Sequence, residues 1–509
     1  MLRTLFCASC AALLCLAAAA SAGTAAADRD TRPNIVFILA DDLGYGDLSS
    51  FGATDINTPN IDRLAAEGMR MTHHYTPANT CSPTRAALLT GRYPPRTGVN
   101  AVLGHDTVEG LPLEEITLAE ILRDAGYATA MIGKWHLGQV EAFMPWRQGF
   151  DYFFGAATSN DDGNFYLYES RGVDYRRLAS PVDQTQLSQQ YTQQALQFLE
   201  AQREATEPFF LYFAHSLAHI PLHPNPRFVG SSERGIYGDV VQELDDSVGQ
   251  VLEKLAALSL DKNTLVVFTS DNGAWRTMRE FGGSNGILRE GKLTAFDGGH
   301  RVPALVRWPQ RIPAGQVNEQ LATMMDWFVT LAQYGGADVP HDRIIDGKPL
   351  QSVLEGTGRR EEAPFFYFAL RAPHEEQAHR LAAVRDGKWK LKAPQQGYYP
   401  HLLEPLMRVG LYRHGELLFD LESDPGETRN VIEQHPEVAG RLRQLMADFE
   451  AGNPMPPPVR TAALARDAGG WEKMWYGIAA AAVIVLLLVA IAMKLLWLLG
   501  KRLLKRQVR

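Results

Sequence analysis

The sequence predicts an α/β fold, a largely parallel sheet flanked by helices, and three observations carry that prediction. Four short runs, Asn34 to Ala40, Ala128 to Ile132, Phe209 to Ala214 and Leu265 to Thr269, are mostly apolar and rich in Val, Ile, Phe or Ala. Such runs suit strands buried on both faces of the sheet. Long segments with helical character separate them. Each run also ends in polar residues: Asp41-Asp42, Lys134-Trp135-His136, His215 through His219, and Asp271-Asn272. Ligands of open α/β sheets bind beyond the carboxyl ends of the strands, so four strand ends point towards one site.

The connecting helices carry ordinary signals. Thr58-Pro59 opens one with a cap and a first-turn proline, and Gly68 closes it. Ser82-Pro83 opens another through Ala86, Ala87, Leu88 and Leu89, with Gly91 past its end. Cys81 then lies at a helix N-terminus, where free N–H groups and the macrodipole favour an anion, a nucleophilic oxygen or a thiolate. Further on, Asp386-Gly387 predicts a tight hairpin between Leu381 to Val384 and Trp389 to Leu391.

At 509 residues the chain is long enough for a large domain, expected over residues 31–355, and a smaller one over 356–452. No internal repeat or low-complexity tract interrupts them. The net charge of −8 carries no basic excess, so nucleic acid is not an expected partner.

Both ends of the chain read as addressing segments. Arg3, the apolar run from Leu5 to about Ala20, and Ala20-Ser21-Ala22 before Gly23 predict a signal peptide over residues 1–22. From Trp475 to Met493 the sequence is apolar and uncharged, and at ~1.5 Å per residue it spans roughly 28 Å of bilayer. A transmembrane helix is therefore expected over 474–499, after a Pro-rich linker over 453–473. The basic residues of the tail, 500–509, place that tail in the cytoplasm and the globular body outside, on the periplasmic or extracellular face.

Export sharpens the question of Cys81. Cys7, Cys10 and Cys15 lie in the leader, so the mature chain holds one thiol in an oxidising compartment with no partner for a disulfide. The fold must stand on its core.

The polar strand ends suggest a chemistry. Asp41, Asp42, Asp271 and Asn272 would form an all-oxygen, anionic set, which asks for a hard cation, Ca²⁺ or Mg²⁺. Arg85, Lys134, His136, His219 and Lys292 add cations and proton-transfer groups. A site of this kind suits a tetrahedral oxyanion ester, sulfate or phosphate, whose non-bridging oxygens need neutralising in the transition state.

Taken together, Pro33-Asn34-Ile35-Val36 into Asp41-Asp42-Leu43-Gly44-Tyr45-Gly46-Asp47, Cys81-Ser82-Pro83-Thr84-Arg85 with Leu89-Thr90-Gly91-Arg92, Gly133-Lys134-Trp135-His136-Leu137-Gly138, Asp271-Asn272-Gly273 and Gly291-Lys292 resemble the type I sulfatases. The likeness is greatest to the arylsulfatase A and N-acetylgalactosamine-6-sulfatase branch. It runs from about Pro33 to about Val431 and includes Leu418-Phe419-Asp420-Leu421 and Asp424-Pro425-Gly426-Glu427.

The resemblance implies an alkaline-phosphatase-like large domain followed by a smaller one with a short antiparallel sheet. It also implies that a formylglycine-generating enzyme oxidises Cys81 to Cα-formylglycine. One hydroxyl of the hydrated aldehyde would attack sulfur to give a covalent sulfo-enzyme, and the second would expel sulfate. By the same resemblance Asp41, Asp42, Asp271, Asn272 and the modified Cys81 hold Ca²⁺, and Arg85 orients the modified residue. Lys134 and Lys292 hold sulfate oxygens, His136 takes the proton from the second hydroxyl, and His219 protonates the leaving alcohol, with His215 and His223 as nearby alternatives for that last role.

Two other readings fit the same residues: a phosphoester or phosphonate hydrolase of the superfamily, and a membrane-tethered sulfoglycan-binding protein without turnover. Aryl sulfates, sulfated sugars and sulfated steroids all suit the expected leaving-group loops, Ala142 to Asn164 and Arg371 to Arg380.

Overall fold

The computed structural model describes residues 32–453 apart from 105–106, 164, 179, 371–378 and 395–414. The predicted leader, the tether beyond Asn453, the span and the basic tail lie outside the described residues, as does most of the Arg371 to Arg380 loop. Among the described residues no helix is long and apolar enough to cross a membrane.

The four apolar runs form adjacent parallel strands. β1 (Asn34–Ala40) lies between β7 (Phe209–Ala214) and β8 (Thr264–Ser270), and β7 pairs in turn with β3 (Ala128–Lys134). All four are buried nearly end to end because helices cover both faces. Alternate residues divide between the two layers: Ile35, Phe37 and Leu39 pack with the helices Cys81–Thr90, Leu118–Asp124 and Asp326–Gly335. Val36, Ile38 and Ala40 pack with Pro59–Glu67, Leu187–Ala201 and Ile236–Ala257. This is the period-two alternation of a strand serving two cores.

Antiparallel and short strands complete the sheet. Beyond β8 lie β9 (Arg301–Arg307), β2 (Met69–Tyr75) and β10 (Gln316–Asn318), with β11 (Ala322–Thr323) also on β2. Beyond β3 lie β4 (Tyr152–Ala156), β5 (Leu167–Arg171) and β6 (Asp174–Arg177). The fold is thus α/β with a mostly parallel sheet. Gly133 marks one tight point: its φ is 111°, and a Cβ there would meet the Ala214 carbonyl oxygen at 1.8 Å.

A second, antiparallel sheet of β12 (Phe365–Leu370), β13 (His379–Asp386), β14 (Trp389–Lys392) and β15 (Leu417–Asp420) is covered by the helix Pro436–Gly452. The hairpin forms between β13 and β14, but Asp386 pairs with Trp389, so the two loop residues are Gly387 and Lys388 rather than the Asp-Gly pair. Gly387 supplies the positive φ, 58°. A second local difference concerns Thr58. Its hydroxyl makes no cap bond to the helix that follows; it accepts from Ser49 N at 3.0 Å and donates to Asp62 Oδ1 at 3.2 Å.

Charge as well as apolar contact joins the second sheet to the first. Lys390 Nζ lies 2.7 Å from Asp297 Oδ1 and 2.8 Å from Glu427 Oε1, all three fully enclosed. Tyr75 and Tyr367 donate to Asp297 at 2.7 and 3.2 Å. Lys390→Ala would leave two carboxyl groups buried together without their cation. We expect a loss of about 3 kcal/mol in denaturant unfolding; a loss under ~0.5 kcal/mol would mean that water reaches this cluster.

Candidate active site

The carboxyl ends of β8, β1, β7 and β3 lie side by side, so the residues that follow them converge. Asp41 and Asp42 follow β1. Lys134 ends β3 and His136 follows it, His219 follows β7, and Asp271 and Asn272 follow β8. Cys81 is the first residue of the helix Cys81–Thr90, which Gly91 closes with a left-handed φ of 70°. Lys292 arrives on a loop fixed by its own N–H to Ala274 O at 3.0 Å, while Leu293 N bonds Asn79 O at 3.2 Å, just before Cys81.

All of these side chains are buried, Lys292 being the most exposed at 6 %. Buried charges have to be paired, and here they are. Lys134 Nζ reaches Asp41 Oδ2 at 2.5 Å, Ser159 Oγ at 3.0 Å and Cys81 Sγ at 3.7 Å. Arg85 grips Asp271 Oδ2 through Nε at 3.0 Å and Nη2 at 2.8 Å, and its Nη1 donates to Lys134 O at 2.6 Å. Lys292 Nζ donates to Asp42 Oδ2 at 2.8 Å and lies 4.3 Å from the centre of the Trp275 ring. His219 Nε2 is 3.7 Å from the same Asp42 oxygen, and its Nδ1 is 2.5 Å from Ile220 O.

Of the neighbouring histidines, His215 faces away: its Nε2 meets Ser247 Oγ at 3.1 Å in the helix layer. His219 stands among the anionic oxygens.

Oxygen donors and Sγ gather at one point. Single ligand atoms of Asp41, Asp42, Cys81 and His219 lie within 4.8 Å of one another. Asp41 Oδ1 and Asn272 Oδ1 are buried without a hydrogen-bond partner. Two orphaned buried oxygens beside two carboxylates fit a hard divalent cation. Asp271 is placed differently from the rest of the predicted set: Arg85 occupies its Oδ2, and its Oδ1 accepts the Asp42 N–H at 3.2 Å. His219, expected only as an acid, joins the donor cluster.

Electrostatics follow from burial and charge together. Burial raises the Asp271 carboxyl to about 7, with the Asp41 carboxylate adding to the effect and Arg85 opposing it. Burial works on Asp41 too, but Lys134, His219, Arg85 and Lys292 outweigh it and hold that carboxyl far below its ordinary value. Burial pushes the Cys81 thiol up to about 12 despite Lys134 and Lys292. A thiolate nucleophile is therefore disfavoured at neutral pH, although the helix N-terminus favours one. Burial, reinforced by Lys134 and Arg85, keeps His136 neutral; burial and Lys292 lower His219.

The sequence reading did not single out Ser159, which lies within the expected leaving-group loop Ala142 to Asn164, and it did not reach Trp275. Ser159 lies just beyond β4, whose run Tyr152-Phe153-Phe154 is a fifth strand leading to the same edge. Recognising that strand would have exposed Ser159. Trp275 sits three residues past Asn272, on a loop without a periodic signal.

A buried cysteine at a helix N-terminus, enclosed cations and an oxygen cluster at the carboxyl edge of a parallel sheet suit the binding of a tetrahedral oxyanion ester. The Sulfatase family model matches residues 33–337, and the model for the C-terminal region of N-sulphoglucosamine sulphohydrolase matches residues 291–451. The chain belongs to the sulfatase family and is a sulfuric ester hydrolase.

Its relatives include the N-acetylgalactosamine-6-sulfatase of Canis lupus familiaris, 42% identical over 395 residues, 73% of each chain. Arylsulfatase A of Bos taurus is 39% identical over 466 residues, covering 86% of this chain and 90% of its own. Among solved structures, the PsFucS1 sulfatase from Pseudoalteromonas sp. superposes with a TM-score of 0.75 at 27% identity, covering 86% of this chain and 94% of that one.

Proposed function

We propose that this sulfatase cleaves sulfate monoesters of an aryl or sugar alcohol with a Cα-formylglycine made from Cys81 and with Ca²⁺ held by Asp41, Asp42 and Asn272, Asp271 completing the set once Arg85 shares it. The observation that carries the reading is the Cys81 side chain. It is sealed at a helix N-terminus, 3.7 Å from Lys134 and beside the oxygen cluster, yet as a thiol it is a poor nucleophile. Its sulfur marks the place of the hydroxyl oxygens that the modified residue would carry.

When bound, the cation supplies positive charge that lowers the pKa of an adjacent hydroxyl and neutralises sulfate oxygens. The remaining work falls to side chains. Lys134 and Lys292, whose charges both reach Cys81, would offset the charge of the sulfate as it grows. Arg85, bonded to Asp271 and to Lys134 O, fixes the nucleophile's surroundings. Neutral His136 is fit to accept a proton from the hydrated aldehyde, and His219 to donate one to the leaving oxygen, its protonated form favoured by the bound sulfate's own charge. Serving on opposite sides of the reaction, the two histidines need opposite protonation states.

Location is proposed from the sequence pattern: a cleaved leader, a Pro-rich tether and a single span with a basic cytoplasmic tail hold the catalytic body outside the cytoplasm. Formylglycine-generating enzyme is the maturation partner.

The test is production in a host that lacks that enzyme, with and without its co-production. Activity on 4-nitrophenyl sulfate should rise with co-production by about 10²-fold or more. Equal activity in both preparations would remove the modified residue from the mechanism.

A further inference from the structure

No strand or helix carries Lys292. Its loop, residues 289–298, leaves and rejoins the body at a narrow neck, where Gly298 N donates to Arg289 O at 2.9 Å and the Arg289 guanidinium lies 4.1 Å from the centre of the Phe296 ring. Inside the loop Glu290 and Leu293, on either side of Lys292, hold left-handed φ values of 58° and 74°. Non-glycine residues keep such a backbone only where the surroundings impose it. Contacts with the large domain fix the tip: Lys292 N donates to Ala274 O, Leu293 N to Asn79 O, and Asn79 Nδ2 to Thr294 O at 2.9 Å. The neck has a different anchor.

That anchor is Asp424-Pro425-Gly426-Glu427, a segment beyond β15 to which the reaction assigns no role. Asp424 shapes it into a turn: its Oδ2 accepts from Thr428 N and from Arg429 N at 2.8 Å each, and its backbone O accepts from Glu427 N at 3.1 Å. Gly426 comes so near the approach to the loop that a Cβ there would meet Ile287 O at 3.3 Å. Glu427, fully buried, then holds both sides of the neck. Its backbone O accepts from Arg289 Nη1 at 2.7 Å, and its Oε2 accepts from Asp297 N at 2.6 Å. Lys390 Nζ lies 2.8 Å from its Oε1 and fixes the carboxylate in place.

We infer that Glu427 is a positioning residue for Lys292: reaching across from the second sheet, it closes the neck of the 289–298 loop and so sets where the Lys292 ammonium stands against Asp42 and Cys81. Arg289, Asp297 and Lys390, its partners, are not among the site residues, so its effect on the reaction has to pass through the loop. A loop that holds strained residues relaxes when an anchor is removed. A displacement of about 1 Å in a group that stabilises the transition state can cost up to 10²-fold in rate. The inference rests on the role proposed for Lys292 in facing the sulfate.

The test is a pair of double-mutant cycles on 4-nitrophenyl sulfate, with kcat/KM expressed per formylglycine-bearing chain of co-produced protein. The variants are Glu427→Ala, Arg289→Met and Lys292→Ala, with each of the first two also combined with the third. Glu427→Ala and Arg289→Met should each lower kcat/KM about tenfold, and Lys292→Ala about 10²-fold. In the Lys292→Ala background the other two changes should have no further effect, because the group they position is gone. A merely structural role would lower activity by the same factor in either background, and that additivity would overturn the inference. Wild-type values in both single variants beside a defective Lys292→Ala would overturn it as well. Arg289 is half-buried, and methionine there keeps contact with Phe296, so the second cycle decides the matter if Glu427→Ala fails to fold. Wild-type activity in Lys292→Ala would instead remove the role proposed for Lys292, and this inference with it.

Discussion

Replacing Cys81 by alanine should give a folded protein whose sulfate-ester turnover falls by about 10⁴-fold or more. The side chain is small and sits at the first position of its helix, where alanine is sterically admissible, so the loss should appear in kcat without a matching loss of stability. Cys81→Ser separates two roles. Serine keeps one hydroxyl in the charged cradle of Lys134 and Lys292 and should bind substrate or be slowly sulfated, but it has no second hydroxyl with which to expel sulfate. Stoichiometric sulfation without turnover is the expected signature, read by intact mass after incubation with substrate. Wild-type-like turnover by the alanine variant would remove residue 81 from the chemistry.

The second large effect is expected from metal removal. Asp41 Oδ1 and Asn272 Oδ1 are buried without hydrogen-bond partners, and burial, with the Asp41 carboxylate adding to it, raises the Asp271 carboxyl to about 7. A hard cation would answer both. Exhaustive chelation should therefore lower sulfate-ester hydrolysis by at least about 10²-fold, restored by Ca²⁺ more fully than by Mg²⁺. Asp271→Ala should behave similarly and should also unfold more easily, because Arg85 loses the buried carboxylate oxygen that accepts from its Nε and Nη2. Full activity in protein shown by elemental analysis to be metal-free would contradict the assignment of this cluster.

What the sequence disclosed follows from burial. β1, β3, β7 and β8 were legible because central parallel strands are apolar throughout, and their polar termini then marked the site. The outer strands were not: β2 reads Met-Arg-Met-Thr-His-His-Tyr, and β6, Asp174–Arg177, is wholly exposed, so neither offers a continuous apolar run. Among the site residues, Cys81, Lys134 and Asp271 were found because each adjoins a recognisable motif or strand end. Ser159 stayed hidden behind an unrecognised strand, and Trp275 because its value lies in contacts with Lys292 and His219, one distant in sequence by 17 residues and the other by 56. The engagement of Asp271 by Arg85 is likewise a product of the fold: nothing in the local sequence says which carboxylate a buried guanidinium will choose.

The claim on which the account turns is that residue 81 works as an aldehyde. Mass analysis of the peptide containing Cys81, taken from protein matured in an environment that has formylglycine-generating enzyme, tests it most directly. The account predicts a peptide in which the thiol has been replaced by an aldehyde, reactive towards a hydrazide probe, in a fraction that tracks specific activity across preparations. Fully active protein whose peptide carries only an unmodified, alkylatable Cys81 would contradict it.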